Sequence, residues 1–566
     1  MRNTRMSPLA ILGGLATVAF LSLAGCTDTE TVYQDRPPFN PPPDEASGYL
    51  GYYTADDQQT TCGNCHVGEQ IDWIETRHAT AWGTLQNSGQ AEAFCEGCHT
   101  VNSRGNQPLA DVGYDNVKDV AYHDVQCESC HGPGITHVEN PSVDANRPLA
   151  SANVYPSEEV ADTAAVVNSS CGACHQGAGP SQNHDYLAEW RSSRHGQLRE
   201  EQAAEADCTP CHEGKGALAA WGVNTNYKEL GTTTLLPQNC VVCHDPHGSA
   251  TGANGLPLPG QLRFPIDQPV EELNLCTKCH NRRSEPVASS SRGPHAAQGP
   301  VLFGTAGYFP PGTVYDTSAI LTTHGSSANP RLCAGCHLNA LNGVDAGGNP
   351  TSFTGHSFHP LPCVTQKNPP VVDPTYTNDC PLDEPSRSWA SCTAAGCHGS
   401  EAIAVQRLDQ ILTEKDGYIN TLWIDLDGDR TLDASPTDGG YLATIKATAP
   451  CELDFTNPPC NTVVTPAKGA LFNAQLLGEE LSGHPDGSHG VHNPFLTRAL
   501  LQSSIADLEA NYPFLPAPPA PVLSQIQDAI RSGQLRVAPR TEQAVMELSR
   551  PGVASTAGQV RIGAAR

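Results

Sequence analysis

Apolar and polar positions repeat with a clear period in only two segments, both near the C-terminal end. Residues 495–509, from Phe495 to Glu509, place apolar side chains at helical spacing and predict a helix, and residues 521–535 predict a second one. Elsewhere the periodicity is weak and favours short helices joined by long loops. The predicted fold is therefore mainly α, with extensive irregular loops and little β-structure.

A further apolar run lies at the N-terminal end. It extends from Leu9 to Leu23, follows two arginines and is too short to favour a spanning helix, so we interpret residues 1–25 as an export signal. The end of this segment resembles the lipobox of bacterial lipoproteins, which implies lipidation of Cys26. An ordinary cleaved signal with an unrelated cysteine is the alternative. By the same resemblance, the absence of aspartate at the next position implies sorting to the outer membrane.

Composition indicates that the chain lacks residues for an ordinary core. Of its 566 residues 16% are charged and 6% aromatic, whereas 52 are glycine and 47 proline. We therefore expect that the chain cannot rely on a side-chain core and that a group other than side chains supplies much of the buried apolar surface. The net charge of −28 excludes nucleic acid as a natural partner and favours cationic partners or metal ions.

The cysteine pattern indicates covalent haem attachment. Cys-x-x-Cys-His occurs eight times, a spacing that puts both cysteines on one side of a turn, where two thioether bonds hold a haem while the histidine reaches its iron. A single copy would leave a zinc site, a disulfide or a redox dithiol open, but eight copies exclude these readings. The predicted haem cysteines of these motifs are Cys62, Cys65, Cys95, Cys98, Cys127, Cys130, Cys171, Cys174, Cys208, Cys211, Cys240, Cys243, Cys276, Cys279, Cys333 and Cys336.

A ninth motif has a longer spacing. Four residues separate Cys392 from Cys397, and His398 follows directly, so we predict haem attachment with two extra residues bulging out of the turn. A disulfide or free thiols are the alternatives. The count of haems c is then about nine.

Four further cysteines remain in the predicted mature chain after Cys26 and the haem cysteines are set aside. In an oxidising compartment an even number favours two disulfides. Three connectivities are possible, and proximity in the sequence favours Cys363 with Cys380 and Cys451 with Cys460.

Histidines are expected to occupy both axial positions of each iron. The three methionines lie in the signal and the tail, so histidine is the expected sixth ligand, and bis-histidine coordination leaves no position for a substrate. The predicted proximal ligands are His66, His99, His131, His175, His212, His244, His280, His337 and His398. The predicted distal ligands are His78, His137, His184, His195, His247, His295, His324, His356 and His492, for each of which a surface histidine is the alternative. His123, His359, His484 and His489 form a reserve set.

The first six motifs form two copies of a three-haem unit. Trp73 precedes His78 by five residues in the first copy, and Trp190 precedes His195 by five in the second. The offset between the two copies stays near 110 residues along the unit. The chain therefore contains an internal repeat.

These elements resemble the cytochrome c-554 group of multihaem cytochromes. The resemblance rests on the Trp-to-His elements and on Cys127-Glu128-Ser129-Cys130-His131-Gly132-Pro133-Gly134 with His137, and covers roughly residues 60–400. The lipobox, the added haems and the ninth motif are more similar to outer-membrane multihaem cytochromes of metal-respiring bacteria. That resemblance implies electron transfer to extracellular acceptors or partner redox proteins.

The predicted organisation follows these features. A Pro-rich tether is expected to hold the haem domain off the membrane. The predicted segments are the signal 1–25, the tether 26–48, the repeats 49–165 and 166–262, a three-haem region 263–400, an insert 401–480 with a disulfide, and a histidine cluster with C-terminal helices and tail over 481–566.

A calcium-like loop lies in the insert. Asp425, Asp427, Asp429 and Asp433 place carboxylates at intervals that suit one hard cation, although Arg430 stands where such loops have glycine. A solvated acidic turn is the alternative. Further on, the histidine cluster around His492 resembles C-terminal stretches that fold back to ligate haems, with a transition-metal site as the alternative.

The leading functional hypothesis is an electron relay without catalytic residues. A multihaem reductase or oxidase of a small nitrogen or sulfur compound is the runner-up and needs one haem with an open axial position. A haem filament subunit or a conduit inside an outer-membrane porin is the third hypothesis.

Overall fold

The structure is a computed structural model in which the predicted export signal, Cys26, most of the tether, His184 and the C-terminal tail lie outside the described residues. It describes residues 39–105, 111–153, 170–176, 186–223, 226–252, 254–270, 272–321, 323–344, 348, 350–367, 369–372, 380, 386–394 and 396–537.

Most regular structure is helical, and most helices are short. The α-helices are α1 Val67–Ile74, α2 Ala81–Asn87, α3 Ala93–Glu96, α4 Tyr114–Val117, α5 Cys127–His131, α6 Ile135–Glu139, α7 Tyr186–Ser192, α8 Glu200–Ala204, α9 Thr209–His212, α10 Gly214–Ala220, α11 Cys240–Cys243, α12 Gln298–Leu302, α13 Thr317–Leu321, α14 Cys333–His337, α15 Ala390–Thr393, α16 Glu401–Leu422, α17 Gly440–Thr448, α18 Pro466–Leu477, α19 Pro494–Asn511 and α20 Ala520–Ser532. The 3₁₀ helices are Glu45–Ser47, Cys62–Asn64, His78–Thr80, Val120–Tyr122, Asp144–Asn146, Pro259–Gln261, Cys276–Lys278, Pro450–Leu453 and Cys460–Thr462.

The strands form four small antiparallel ladders. They are β1 Tyr52–Thr54 with β2 Gln59–Thr60, β3 Thr313–Tyr315 with β8 Leu535–Val537, β4 Leu341–Val344 with β5 Pro350–Phe353, and β6 Val364–Lys367 with β7 Pro370–Val372. The expectation of a mainly α fold with irregular loops and little β-structure is confirmed.

The long helices lie together in the C-terminal part, and their ends are set by the local sequence. α19 begins after Asn493, whose side chain accepts a hydrogen bond from the backbone of Leu496 at 3.0 Å, with Pro494 at the first helical position. Ser400 caps α16 in the same way. The helix predicted over 495–509 is confirmed.

The helix predicted over 521–535 ends earlier than expected. α20 stops at Ser532 because Gly533 adopts the left-handed conformation, with φ of +80°, and the chain then continues into β8. The prediction rested on the spacing of apolar residues, which does not take into account that Gly533 ends the helix.

The expectation that the chain cannot rely on a side-chain core is wrong for the C-terminal part. α16 to α20 and residues 297–320 enclose one large apolar cluster, in which Leu442, Leu476 and Leu500 are fully buried. In contrast, buried residues between 49 and 275 form separate clusters of two to five side chains. Average composition concealed this difference between the two parts.

Both expected disulfides form. Cys363 bonds to Cys380 and Cys451 to Cys460. The second disulfide closes the loop that precedes α18.

Candidate haem-attachment sites and histidine pairs

Most Cys-x-x-Cys-His motifs form a tight turn that returns the histidine to the first cysteine, whereas the N–H of His99 donates to the carbonyl of Glu96 at 3.0 Å. The N–H of His66 donates to the carbonyl of Cys62 at 2.9 Å, and His244 makes the same bond to Cys240 at 2.9 Å. Such a turn places the three functional side chains together. We number the attachment sites in chain order as I Cys62–His66, II Cys95–His99, III Cys127–His131, IV Cys171–His175, V Cys208–His212, VI Cys240–His244, VII Cys276–His280, VIII Cys333–His337 and IX Cys392–His398.

Site IX closes in the same way despite its longer spacing. The N–H of His398 donates to the carbonyl of Cys392 at 3.0 Å. α15 ends at Thr393, and Gly396 has a φ of +89°, which lets the extra residues bulge outwards. The ends of the motif therefore meet as they do in the regular motifs, which suits haem attachment.

Eight of the nine motif histidines face a second histidine. In each pair the ring centroids lie between 6.0 and 6.4 Å apart. The pairs are His66 with His137, His78 with His175, His131 with His247, His195 with His280, His212 with His295, His244 with His356, His324 with His398, and His337 with His492. Eight of the nine distal ligands predicted from the sequence thus lie opposite a motif histidine.

The spacing of these pairs fits an iron ion between the rings. A metal–imidazole bond of about 2 Å on each side, with about 1 Å more from nitrogen to ring centre, separates two ligand rings by about 6 Å. The donor set therefore fits bis-histidine haem.

The outer nitrogens of many of these rings bond to the protein. The Nδ1–H of His131 donates to the carbonyl of Pro148 at 2.6 Å, and that of His324 donates to the carbonyl of Val491 at 2.7 Å. A carbonyl oxygen can only accept, so Nδ1 carries the proton and Nε2 is left for a metal. The fold thus fixes the tautomer that an axial ligand needs.

His99 of site II has no ring partner among the described residues. Its Nδ1 bonds to the carbonyl of Ala81 at 2.7 Å, as for the other ligands. The ninth predicted distal ligand, His184, lies outside the described residues.

The reserve histidines lie elsewhere. His123 stacks on Trp82 with a centroid distance of 4.1 Å, and His489 places Nδ1 3.5 Å from the carboxylate of Glu479. His484 contacts the ring of His295 at 4.2 Å, and His359 is partly buried after Phe358. The contacts described for His123, His484 and His489 do not include a motif histidine.

Histidine pairs join one repeat to the next. His78 from the first repeat faces His175 at site IV of the second, while His247 from the second repeat faces His131 at site III of the first. His195 of the second repeat likewise faces site VII. Each unit therefore places a histidine ring opposite a motif histidine of its neighbour.

The repeated tryptophans position these ligands. The indole N–H of Trp73 donates to the carbonyl of Val125 at 3.0 Å, and that of Trp190 donates to Gln238 at 2.8 Å. Both carbonyls lie two residues before the third motif of their repeat. The sequence repeat is therefore also a repeat of contacts.

Cysteine thiols of different sites lie close enough to interact electrostatically, which indicates an order of the sites in space. Hydrogen-bonding contacts join sites I to III, II to IV, IV to VI, V to VII and VII to VIII through the pairs Cys62–Cys127, Cys98–Cys174, Cys171–Cys240, Cys211–Cys279 and Cys276–Cys333. Electrostatic contacts join III to IV, VI to VII and VIII to IX through Cys130–Cys171, Cys243–Cys276 and Cys336–Cys392. The sites form one series, I-III-IV-VI-VII-VIII-IX, with II and V as side branches.

Two ligand rings are linked to carboxylates that sequence reasoning missed. His492 Nδ1 lies 2.7 Å from Asp486; burial acts to lower the pKa of His492, but the attraction of Asp486 outweighs it and raises that pKa. His356 bonds through Nδ1 to the hydroxyl of Thr354 at 2.8 Å, and that hydroxyl donates to Glu189 at 2.8 Å. Asp486 stands six residues before His492, whereas nothing in the sequence relates Glu189 to His356.

Burial holds other ligand histidines neutral. Desolvation lowers the pKa of His195 to about 4, with a further decrease from the nearby rings of His280 and His337. Desolvation and His244 lower the pKa of His356 to about 4. Neutral imidazole is the form that binds iron.

The acidic loop contains a fifth carboxylate. Oxygens of Asp425, Asp427 and Asp438 lie within 4.8 Å of one another, as do those of Asp427, Asp429 and Asp433. Asp438 is 1% exposed and accepts hydrogen bonds from Trp423 and Leu426. The sequence pattern missed Asp438 because it lies beyond the run of alternating aspartates.

Comparisons with known proteins found a family model and two solved structures similar to this chain. Residues 61–132 match the family model described as cytochrome c554 and c-prime. A solved structure titled outer cell wall cytochrome OcwA is 18% identical, with a TM-score of 0.43, and the alignment covers 81% of this chain and 100% of that one. An undecahaem cytochrome from the S-layer of Carboxydothermus ferrireducens is 17% identical, with a TM-score of 0.37, covering 74% of this chain and 56% of that one. The curated proteins contain no match.

No helix within the described part of the chain is long and apolar enough to cross a membrane.

Proposed function

We propose that this multihaem c-type cytochrome carries single electrons along nine covalently attached haems, each held between two histidines. A bound haem supplies a one-electron iron couple. The observation that carries the proposal is the set of eight histidine pairs with centroids 6.0 to 6.4 Å apart. Two imidazoles on one iron fill both axial positions, so the side chains favour a relay over a substrate site.

The order of the attachment sites in space supports a continuous path for electrons. Each thioether bond would hold one edge of a haem at its cysteine. Neighbouring cysteines of two different sites would therefore bring the edges of their two haems together. Among the eighteen motif cysteines, all of them described, Cys65 and Cys397 are the exposed ones. They belong to sites I and IX, the two ends of the series, where we propose that electrons enter and leave.

The repeat supports His184 as the distal ligand of site II. Site V occupies the same position in the second repeat, and its partner His295 follows the seventh motif, the first motif of the next unit. The equivalent partner for His99 would follow the fourth motif. His184 is the histidine between that motif and His195 in the sequence.

We propose an exported, lipid-anchored location at the outer membrane. The support is the export signal over residues 1–25 and the lipobox that ends at Cys26. The partners would be other redox proteins, extracellular acceptors or an outer-membrane porin. Cys26→Ala should release the protein from the membrane fraction in cells; equal retention of this variant and the wild type would contradict lipidation.

The relay is tested by counting haems and reading their spin states. Mass spectrometry of the purified protein should show nine haems, and low-temperature EPR of the oxidised protein should show only low-spin signals. A high-spin ferric signal from one haem in the wild type would contradict the relay and favour a reductase. A mass that corresponds to eight haems, with Cys392 unmodified, would contradict haem attachment at site IX.

We propose that the acidic loop binds a structural calcium ion. The support is the convergence of Asp425, Asp427 and Asp438, because calcium takes several carboxylate oxygens. Chelation should lower the melting temperature of the C-terminal part, and added calcium should restore it. Asp427→Asn should abolish this response, and an unchanged melting temperature after chelation would contradict the site.

A further inference from the structure

A buried carboxylate lies behind the ligand pair of site VIII. Asp486 Oδ1 accepts a hydrogen bond from Nδ1–H of His492 at 2.7 Å, and its side chain is 2% exposed. His492 in turn faces His337 with ring centroids 6.2 Å apart. The carboxylate therefore bonds to Nδ1 of His492, and Nε2 is the nitrogen that is left for a metal.

Neighbouring groups fix this carboxylate in place. The hydroxyl of Ser488 donates to its second oxygen, and the N–H of Asp486 donates to the carbonyl of Leu476 at 2.8 Å. Both side-chain partners of Asp486 are donors, as an ionised carboxylate requires. The anion is thus held by the fold close to one ligand.

Seven other histidines of the motifs and pairs bond through Nδ1 to neutral acceptors. Where the structure describes an Nδ1 bond, the acceptor is a backbone carbonyl, the Gln298 amide oxygen at His280 or the Thr354 hydroxyl at His356. Asp245 lies 4.0 Å from Nδ1 of His247, which is too far for a hydrogen bond, and pairs with Arg263 at 2.8 Å instead. Among these described bonds, a direct contact with a carboxylate is found at His492.

We propose that Asp486 is a positioning residue that lowers the reduction potential of site VIII. A buried anion bonded to Nδ1–H strengthens the imidazole as a donor and stabilises ferric over ferrous iron. Site VIII lies between site VII and site IX, so this residue makes a position one step from the exposed end less readily reduced. This inference rests on the proposed relay.

The test is a potentiometric titration of the full holoprotein carrying Asp486→Asn. Asparagine can still accept the hydrogen bond from His492, so the geometry is retained while the charge is removed. One of nine components, about a ninth of the haem absorbance, should move to higher potential with all EPR signals still low-spin. Asp486→Glu should return that component towards its wild-type position.

Two further variants make the result decisive. Asp245→Asn removes a carboxylate that accepts from the backbone N–H of His247 at 3.1 Å but does not bond to its ring, so its component should move less than that of Asp486→Asn. Ser488→Ala removes a donor from Asp486, which strengthens the bond to His492, so one component should move to lower potential. Ser488→Ala also tests the proposal if the Asp486→Asn protein loses its haem at site VIII.

The proposal is overturned if the Asp486→Asn titration coincides with that of the wild type, or if both site VIII variants move in the same direction. A high-spin haem in the wild-type protein would instead contradict the relay itself, so the two failures are distinguishable.

Discussion

The repeat region and the C-terminal helices bury their apolar surface in different ways. Between residues 49 and 275 the clusters hold two to five side chains, whereas α16 to α20 share one large core with residues 297–320. The repeat region also contains the first six attachment sites within a chain of short helices. We infer that haem attachment and histidine ligation replace core packing there, while the C-terminal part is stabilised by its own side chains.

The largest expected effect is the loss of a ligand that joins the repeats. His78→Ala removes the ring that faces His175, so site IV should lose its sixth ligand and the two repeats should lose a connection. EPR should show one high-spin haem. Limited proteolysis should cut between the repeats while α16 to α20 remain intact.

His123→Ala is the matched control for this variant. His123 stacks on Trp82 and does not face a motif histidine, so all haems should stay low-spin. A high-spin signal in this control, or its absence in His78→Ala, would contradict the assigned pairing.

The second expected effect tests the C-terminal core. Leu500 is fully buried, so Leu500→Ala should lower the free energy of unfolding of this part by about 2–5 kcal/mol through the lost apolar contacts and the cavity left behind. Denaturant unfolding followed by far-UV circular dichroism measures the loss, and the Soret band should keep its wild-type form.

Ile403→Ala provides the exposed counterpart. Ile403 is 44% exposed on α16, so its truncation should change stability by less than about 1 kcal/mol. If Leu500→Ala changed the haem spectrum as strongly as the stability, the two regions would not be independent.

The third effect is a pH dependence of opposite sign in the two regions. Burial, opposed by hydrogen bonds from the backbone of Gly51, Leu50 and Gly134, raises the pKa of Glu128 to about 7. The pKa of the folded state then exceeds that of an unfolded glutamate, so stability is full below about pH 4.3 and falls as the pH rises through about 7. Glu128→Gln should flatten this decline in thermal melting of the repeat region.

Glu479 behaves in the opposite way. Burial acts to raise its pKa, but bonds with His489 and Lys415 outweigh it and hold the pKa at about 2. Its contribution is present above about pH 4.3 and is lost as the pH falls towards 2. Glu479→Gln should remove this acid-side loss from C-terminal melting, and parallel pH profiles of the two regions would contradict the contrast.

The smallest effect concerns the repeated tryptophans. Trp73→Phe keeps an aromatic ring but removes the bond to Val125, which should cost about 1 kcal/mol of unfolding free energy. Trp190→Phe should cost a similar amount because its bond to Gln238 is equivalent. Thermal melts of both variants measure this, and a large difference between them would mean that the contact is not shared by the repeats.

Local sequence was sufficient to predict the attachment sites. Two cysteines and a histidine within one turn carry the whole signal, and the same is true of the disulfide between Cys451 and Cys460, whose partners are nine residues apart. The scarcity of methionine also predicted which residue type would stand opposite each motif histidine. These are properties of short segments and of composition.

Long-range partners could not be read in this way. His337 faces His492 across more than 150 residues, and Glu189 bonds to Thr354 and His356 across a sequence separation of 165 and 167 residues. The C-terminal core was missed because its apolar residues are diluted in the average composition of the whole chain.

The sequence by itself therefore determined the haem motifs, the histidine type of the expected ligands and the predominance of short helices, because covalent spacing and turn geometry act over a few residues. The tertiary structure decided which histidine faces which site, in what order the sites lie and which ligand contacts a buried carboxylate. Those outcomes depend on how distant segments pack, and packing is not encoded in the spacing of any single motif.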